Sequence, residues 1–206
     1  MSLKKWLIGL LTAAVAAVLS GCSSFHADVP ETIVVPKLVE LGSGGTSALN
    51  YTPWYIHMFS ISGPKGSGIG GGGPNVMPAK EDGRPSGGGA ETCCTSYPHA
   101  WQPELKLTVR WLAFKDVKRL GAKAPGSWYK AEKVQWPPYE GRQAGGVWVI
   151  FLPNDCVKVM IADGNANGHN SVRVRPSADD PYVAQGVVDN EWNEKYPNGV
   201  LRGLEK

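Results

Sequence analysis

The sequence predicts an all-β protein, an antiparallel β-sandwich or partly open barrel with little helix. Three observations carry that expectation. Short stretches alternate apolar with polar residues at a period of two, as half-buried strands do. Twenty-six glycines and 16 prolines punctuate the chain between them. Sustained helical periodicity is missing throughout, and short strands separated by turn residues favour sandwiches and barrels.

Taken in order, the chain opens on Lys4 and Lys5, an apolar run from Trp6 to Leu19, and then Leu19-Ser20-Gly21-Cys22. A basic start, an apolar core too short to span a bilayer comfortably and small residues at its end read as a secretory signal. The four residues closing it are similar to the lipobox of bacterial lipoproteins. That resemblance implies cleavage before Cys22, acylation of its thiol and amine, and, with Ser23 following, residence at the outer membrane facing the periplasm. Residues 22–35 are polar with proline and suit a tether. Residues 36–206 then form one β-rich domain.

Ile33 to Leu41 is β-branched but broken by Pro36, which predicts an edge strand or lead-in. Leu49 to Ser62 predicts a strand with Ile56, Met58, Ser60 and Ser62 on one face and Tyr55, His57, Phe59 and Ile61 on the other. From Gly63 to Ala90 glycine tracts surround Pro74, Pro78 and Pro85, and this insert is expected to be a long flexible loop. Glu91 to Ser96 is a short strand carrying Cys93 and Cys94. Leu105, Leu107, Val109 and Trp111 alternate with Lys106, Thr108 and Arg110, the clearest strand in the chain. Phe114 to Pro125 holds at most a helical turn. Ser127 to Val134 is a strand, and Trp136-Pro137-Pro138-Tyr139 a rigid aromatic turn. Val147 to Leu152 is apolar throughout, as a strand buried on both faces should be. Cys156 to Ala162 and Ser171 to Val174 predict a hairpin, and the tail from Asp179 is weakly helix-compatible.

Charge and motifs narrow the function. The chain has 21 basic and 18 acidic residues, and loss of Lys4 and Lys5 with the signal leaves 19 against 18. A net charge of +1 offers no electrostatic case for nucleic acid. Gly66-x-Gly68-x-x-Gly71 matches a dinucleotide fingerprint in letters, but more glycine and Pro74 stand where the phosphate-binding helix is required. No nucleophile elbow, phosphate loop or zinc-protease motif is present, and His26, His57, His99 and His169 lie far apart. The chain is therefore read as a non-enzyme without a cofactor. Asp163-x-Asn165-x-Asn167-Gly168 copies the first half of a calcium loop, but Val174 stands where the bidentate glutamate belongs. A plain turn is the preferred reading, and a metal at Asp163, Asn165 and Asn167 the weaker one.

With Cys22 spent on lipid, Cys93, Cys94 and Cys156 remain, and an oxidising periplasm favours a disulfide. A bridge from Cys156 to Cys93 or Cys94 is expected over one between the neighbours. Large aromatics gather near the predicted strand ends, and Trp54, Tyr55, Trp101 and Trp128 are the candidates for holding a protein partner.

The run Gly87-Gly-Gly-Ala-Glu-Thr-Cys93-Cys94-Thr-Ser-Tyr-Pro98, followed by Trp101-Gln-Pro103 and Leu107-Thr-Val-Arg-Trp111, is similar to a family of proteobacterial lipoproteins catalogued as a domain of unknown function. Asn50-Tyr51, Tyr55-Ile56-His57 and the stretch from Val149 to Val159 fit the same pattern, which spans about residues 45–162. Members of that family often accompany type VI secretion clusters with phospholipase toxins. The resemblance implies an immunity protein that binds and blocks a secreted lipase. The rival expectation is a structural or assembly lipoprotein of an envelope machine.

Overall fold

The computed structural model describes residues 39–140, 145–164, 169–177 and 179–199. The signal segment, Cys22, the tether, Asn165 and Asn167 lie outside the described residues. The described residues form one compact unit.

Eleven strands among the described residues join in a single sheet. They are β1 (Leu41–Asn50), β2 (Tyr55–Ser62), β3 (Gly70–Gly73), β4 (Ser86–Gly87), β5 (Thr92–Pro98), β6 (Leu107–Phe114), β7 (Gly126–Val134), β8 (Val147–Leu152), β9 (Cys156–Ile161), β10 (Val183–Gln185) and β11 (Val187–Val188). The order across the sheet is β10-β9-β8-β1-β5-β3-β2-β6-β7-β11, with β4 added beside β1. All pairings are antiparallel except β1 with β8, where Thr46 faces Val147 and Asn50 faces Phe151. The sheet curls into a nearly closed barrel, the second of the two architectures expected.

Closure falls at Gly186. The outermost strands β10 and β11 are consecutive in the chain, separated by this one residue. Val183 to Gln185 pairs with β9, and Val187 and Val188 pair with β7. One interrupted strand thus stitches both edges of the sheet together. The Gly186 amide donates to the Asp155 carbonyl at 2.8 Å. A Cβ at Gly186 would lie 2.7 Å from that oxygen and closer still to the Trp111 ring. Only glycine fits a backbone approach of this kind.

Side chains fill the interior. Phe59, Ile61, Leu107, Val109, Trp111, Tyr129, Val149, Phe151, Val157 and Val159 belong to one buried cluster. Phe59 and Trp111 pack their rings against Phe151, at centroid separations of 5.5 and 5.8 Å. A second cluster, Leu49, Ile150, Leu152 and Met160, lies under Val172 and Val183. Alternate residues of β8 therefore enter different clusters, as its unbroken apolar run predicts. Beneath the same cover Lys158, 3% exposed, pairs with Asp180 at 2.7 Å.

Several expectations are corrected. The 63–90 insert is long and glycine-rich, but it is not merely a loop. Its glycines form β3, which pairs with β2 and touches β5, while Ile69 and Val76 are buried. A Cβ at Gly71 would meet the Thr95 backbone at 2.7 Å, so the glycines mark close strand approach. Of the lead-in expected over Ile33 to Leu41, residues 33–38 lie outside the described residues, and β1 starts at Leu41 inside the sheet. In β2 the register shifts between Ile56 and Met58. Ile56, Phe59 and Ile61 are consequently buried together, and His57 is left exposed; a bulge breaks the alternation assumed in assigning faces. Ser171 to Val174 forms no strand, and β9 pairs instead with β8 and β10. The expected helical turn is present as α1 (Val117–Leu120), and the tail forms α2 (Asn190–Lys195).

The disulfide expectation is also corrected. Cys93 bonds to Cys94, and Cys156 is free. Thr92 lies level with Thr46, Thr46 with Val147, and Val147 with Ile161, at the far end of β9 from Cys156. At a strand rise of about 3.3 Å that offset alone is about 16 Å, and three strand spacings of about 4.8 Å add to it. A disulfide needs Cα atoms within about 7 Å. Burial and the Asp155 charge push the Cys156 thiol up, which keeps it in the less reactive form.

Candidate functional site

The four aromatic candidates separate into two kinds. Trp128 is 4% exposed, its indole donating to the Tyr196 carbonyl at 2.9 Å with the Trp192 ring at 4.9 Å. It holds α2 against the barrel and offers a partner nothing. Trp101 is half-buried at the other end of the molecule, donating to the Trp136 carbonyl at 3.1 Å. There Trp136 and Tyr139 pack at 5.9 Å, and the Tyr139 hydroxyl donates to the Pro98 carbonyl at 2.6 Å, the rigid aromatic turn expected.

Trp54 and Tyr55 do come together, at the end of the barrel where β1 turns into β2 and β6 into α1. Tyr55 faces Phe114 across the ladder, with ring centroids 6.1 Å apart. The exposed His57 approaches Phe114 edge-on at 5.8 Å. Lys115 lies over the Trp54 ring at 3.9 Å and the Tyr129 ring at 4.3 Å. Burial works to lower its pKa, but the Asp155 carboxylate and Tyr129 outweigh that and hold it above the usual lysine range. Sequence reasoning missed His57, Phe114 and Lys115, because only strand pairing brings 54–57 beside 114–115.

Asn50 positions this surface. It is fully buried; its amide donates to the Trp54 carbonyl at 2.7 Å and to the Met77 carbonyl at 2.9 Å. Its Oδ1 accepts from the Thr52 amide at 2.9 Å and the Thr52 hydroxyl at 2.7 Å. One side chain thus ties β1, the turn and the glycine-rich insert together. Asn50→Ala removes the side-chain partner of the Met77 carbonyl and of the Thr52 amide, at about 1–3 kcal/mol for an unsatisfied group. The expected outcome is a loss of about 3 kcal/mol in urea unfolding. An unchanged midpoint would remove Asn50 from this role.

A second feature is a polar cavity of about 470 Å³, lined among others by Lys158, His169, Arg175 and Asp180. Asp163, the described member of the calcium-like loop, accepts from the Asn170 amide at 3.2 Å. Among the described residues no three His, Cys, Asp or Glu side chains gather as a metal site would require.

Together these features define a small, side-chain-filled β-barrel with an aromatic and cationic surface at one pole. Residues 49–159 match a family described as a protein of unknown function, DUF3304. That match covers more than half of the 206 residues, and the chain belongs to this family. No curated protein and no solved structure matches.

Proposed function

We propose that the chain is a membrane-anchored periplasmic binding lipoprotein, an immunity protein that neutralises a phospholipase delivered by type VI secretion. The observation that carries this reading is the group of Tyr55, His57 and Phe114 rings at one end of a filled barrel, with Trp54 against Lys115 beside it in the chain. Tyrosine and tryptophan dominate binding hot spots, and a rigid sheet presents them with little ordering cost. The lipobox and the resemblance to phospholipase-associated lipoproteins support the compartment and the target. In this reading the lipid stations the inhibitor where the toxin attacks, and the aromatic pole blocks its cleft.

The test is to sequence the genes flanking this one, to co-express the chain with the phospholipase this reading expects there, and to pull the chain down from periplasm. Protection of the cells and recovery of a complex are expected. No complex and no protection sink the proposal. Loss of secretion in a deletion strain lacking any toxin would favour the assembly role instead.

A further inference from the structure

We infer that the partner of this chain presents an acidic face with an apolar centre, and that it seats on the pole formed by Trp54, Tyr55, Phe114 and residues 115–123. The inference rests on reading the chain as a protein binder, and it names the chemistry of what is bound.

Charge provides the first argument. From Lys115 to Lys123 the chain carries Lys115, Lys118, Arg119 and Lys123 against a single acid, Asp116. Arg119 pairs with Asp116 at 3.1 Å, and Lys115 with Asp155 at 2.8 Å. Lys118 and Lys123 have no ion-pair partner among the described residues. The second argument is what α1 leaves uncovered. None of its residues is buried, and Leu120 is 36% exposed between the two free cations. The exposed leucine on this cationic turn and the Phe114, Tyr55 and His57 rings, which pack together on the strands just before it, are apolar groups with positive charge around them. Acidic side chains around an apolar contact complement that pattern. The third argument is preorganisation. Asn50 and Thr52 fix the turn before Trp54, and Lys115 is held between two rings, so little order remains to be gained on binding.

An anionic bilayer also attracts lysines and aromatics. The rings favour the protein: Tyr55, His57 and Phe114 are fixed on paired strands, and a rigid aromatic patch suits a shaped partner more than a fluid surface. Strand β1 begins at Leu41 beside Pro98 and ends at Asn50 beside the Trp54 turn. Ten residues at about 3.3 Å each put about 30 Å along that strand between its ends. Leu41 thus lies at the pole opposite the Trp54 turn.

The experiment measures association of the mature chain with the phospholipase against which it protects in co-expression, at low and high salt. Lys118→Glu with Lys123→Glu should slow association by about tenfold and flatten its salt dependence, because exposed charges act mainly on the encounter rate. Tyr55→Ala with Phe114→Ala should speed dissociation. Lys106→Glu, an exposed charge at the opposite end of β6 from Phe114, should change neither rate. Circular dichroism of each variant should match the unaltered chain. If the phospholipase binds and the charge reversal leaves both rates within about twofold, the inference fails while the immunity reading stands. If the unaltered chain does not bind it at all, both fail. Sedimentation with phosphatidylglycerol vesicles, abolished by the same reversal, overturns the inference in favour of a lipid surface.

Discussion

Gly186→Val should open the barrel, with a loss of about 3 kcal/mol or more. The added side chain has no room to move into. On one side stands the Asp155 carbonyl, a backbone atom fixed by the β8–β9 turn, and on the other the Trp111 ring, 1% exposed and packed on Phe151. A clash with the tip of a flexible side chain relaxes cheaply, but neither of these neighbours can yield. The amide of the same residue supplies the bond to Asp155, so displacement also costs a hydrogen bond where the sheet closes. Natural domains retain about 5–15 kcal/mol in all, so the loss is a large share. The urea midpoint should fall, and tryptophan emission should shift to the red as Trp111 meets water. Gly89→Val is the control, since a Cβ there meets nothing within 4 Å. Equal midpoints for the two variants would show that closure does not depend on Gly186.

Asp180→Ala should cost about 3–5 kcal/mol, because it strands the Lys158 ammonium without a counter-charge. Lys158 sits on the outward face of β9, opposite Ile150 on one side and Val183 on the other, with both members of the pair nearly inaccessible. Replacing both, Lys158→Met with Asp180→Leu, should recover most of the loss, since burying an ion pair gains little over apolar packing. Burial pushes the Asp180 carboxyl up. The hydrogen bonds from Lys158 and the Tyr182 amide, with the Lys158 and His169 charges, outweigh it and hold the group below the usual carboxylate range. The contribution is therefore complete above the unfolded value of about 3.9 and fades as pH falls through the lower folded value. Urea midpoints should accordingly fall more steeply with acid, below about pH 4, for the unaltered chain than for Asp180→Ala. Parallel acid profiles would exclude the pair as the source.

What the sequence made legible follows from how local each signal is. The alternation from Leu105 to Trp111 and the unbroken run from Val147 to Leu152 are properties of single strands, and both were readable. The β2 faces were not, because the shift between Ile56 and Met58 is set by pairing with β6. Strand β1 was hidden by Gly42-Ser43-Gly44-Gly45, which reads as turn. In the barrel Gly44 faces Gly146, where a Cβ would come within 3.2 Å of backbone. The same close packing turned an apparent loop into β3. For the candidate site, Trp54 and Tyr55 were visible as aromatics, whereas Trp128 was indistinguishable from them until α2 covered it. For Asn50 the local turn bonds to Thr52 and Trp54 lie within five residues, but its tie to the insert exists only once the chain folds back to place the Met77 carbonyl.

The stitch at Gly186 also bears on when the molecule can fold. The strand completing the sheet, Val183 to Val188, is the last among the described residues, and the parallel β1–β8 pair joins residues about a hundred apart. Hairpins such as β6–β7 need only local contacts, but ring closure must wait for nearly the whole polypeptide. Topologies dominated by distant pairings fold slowly. Until residues 183–188 arrive, the exposed strand edges of β7 and β9 are templates for pairing with other chains. The nascent protein therefore has a window of aggregation risk that ends only with its final strand, and escorts that shield open edges would matter most during that interval.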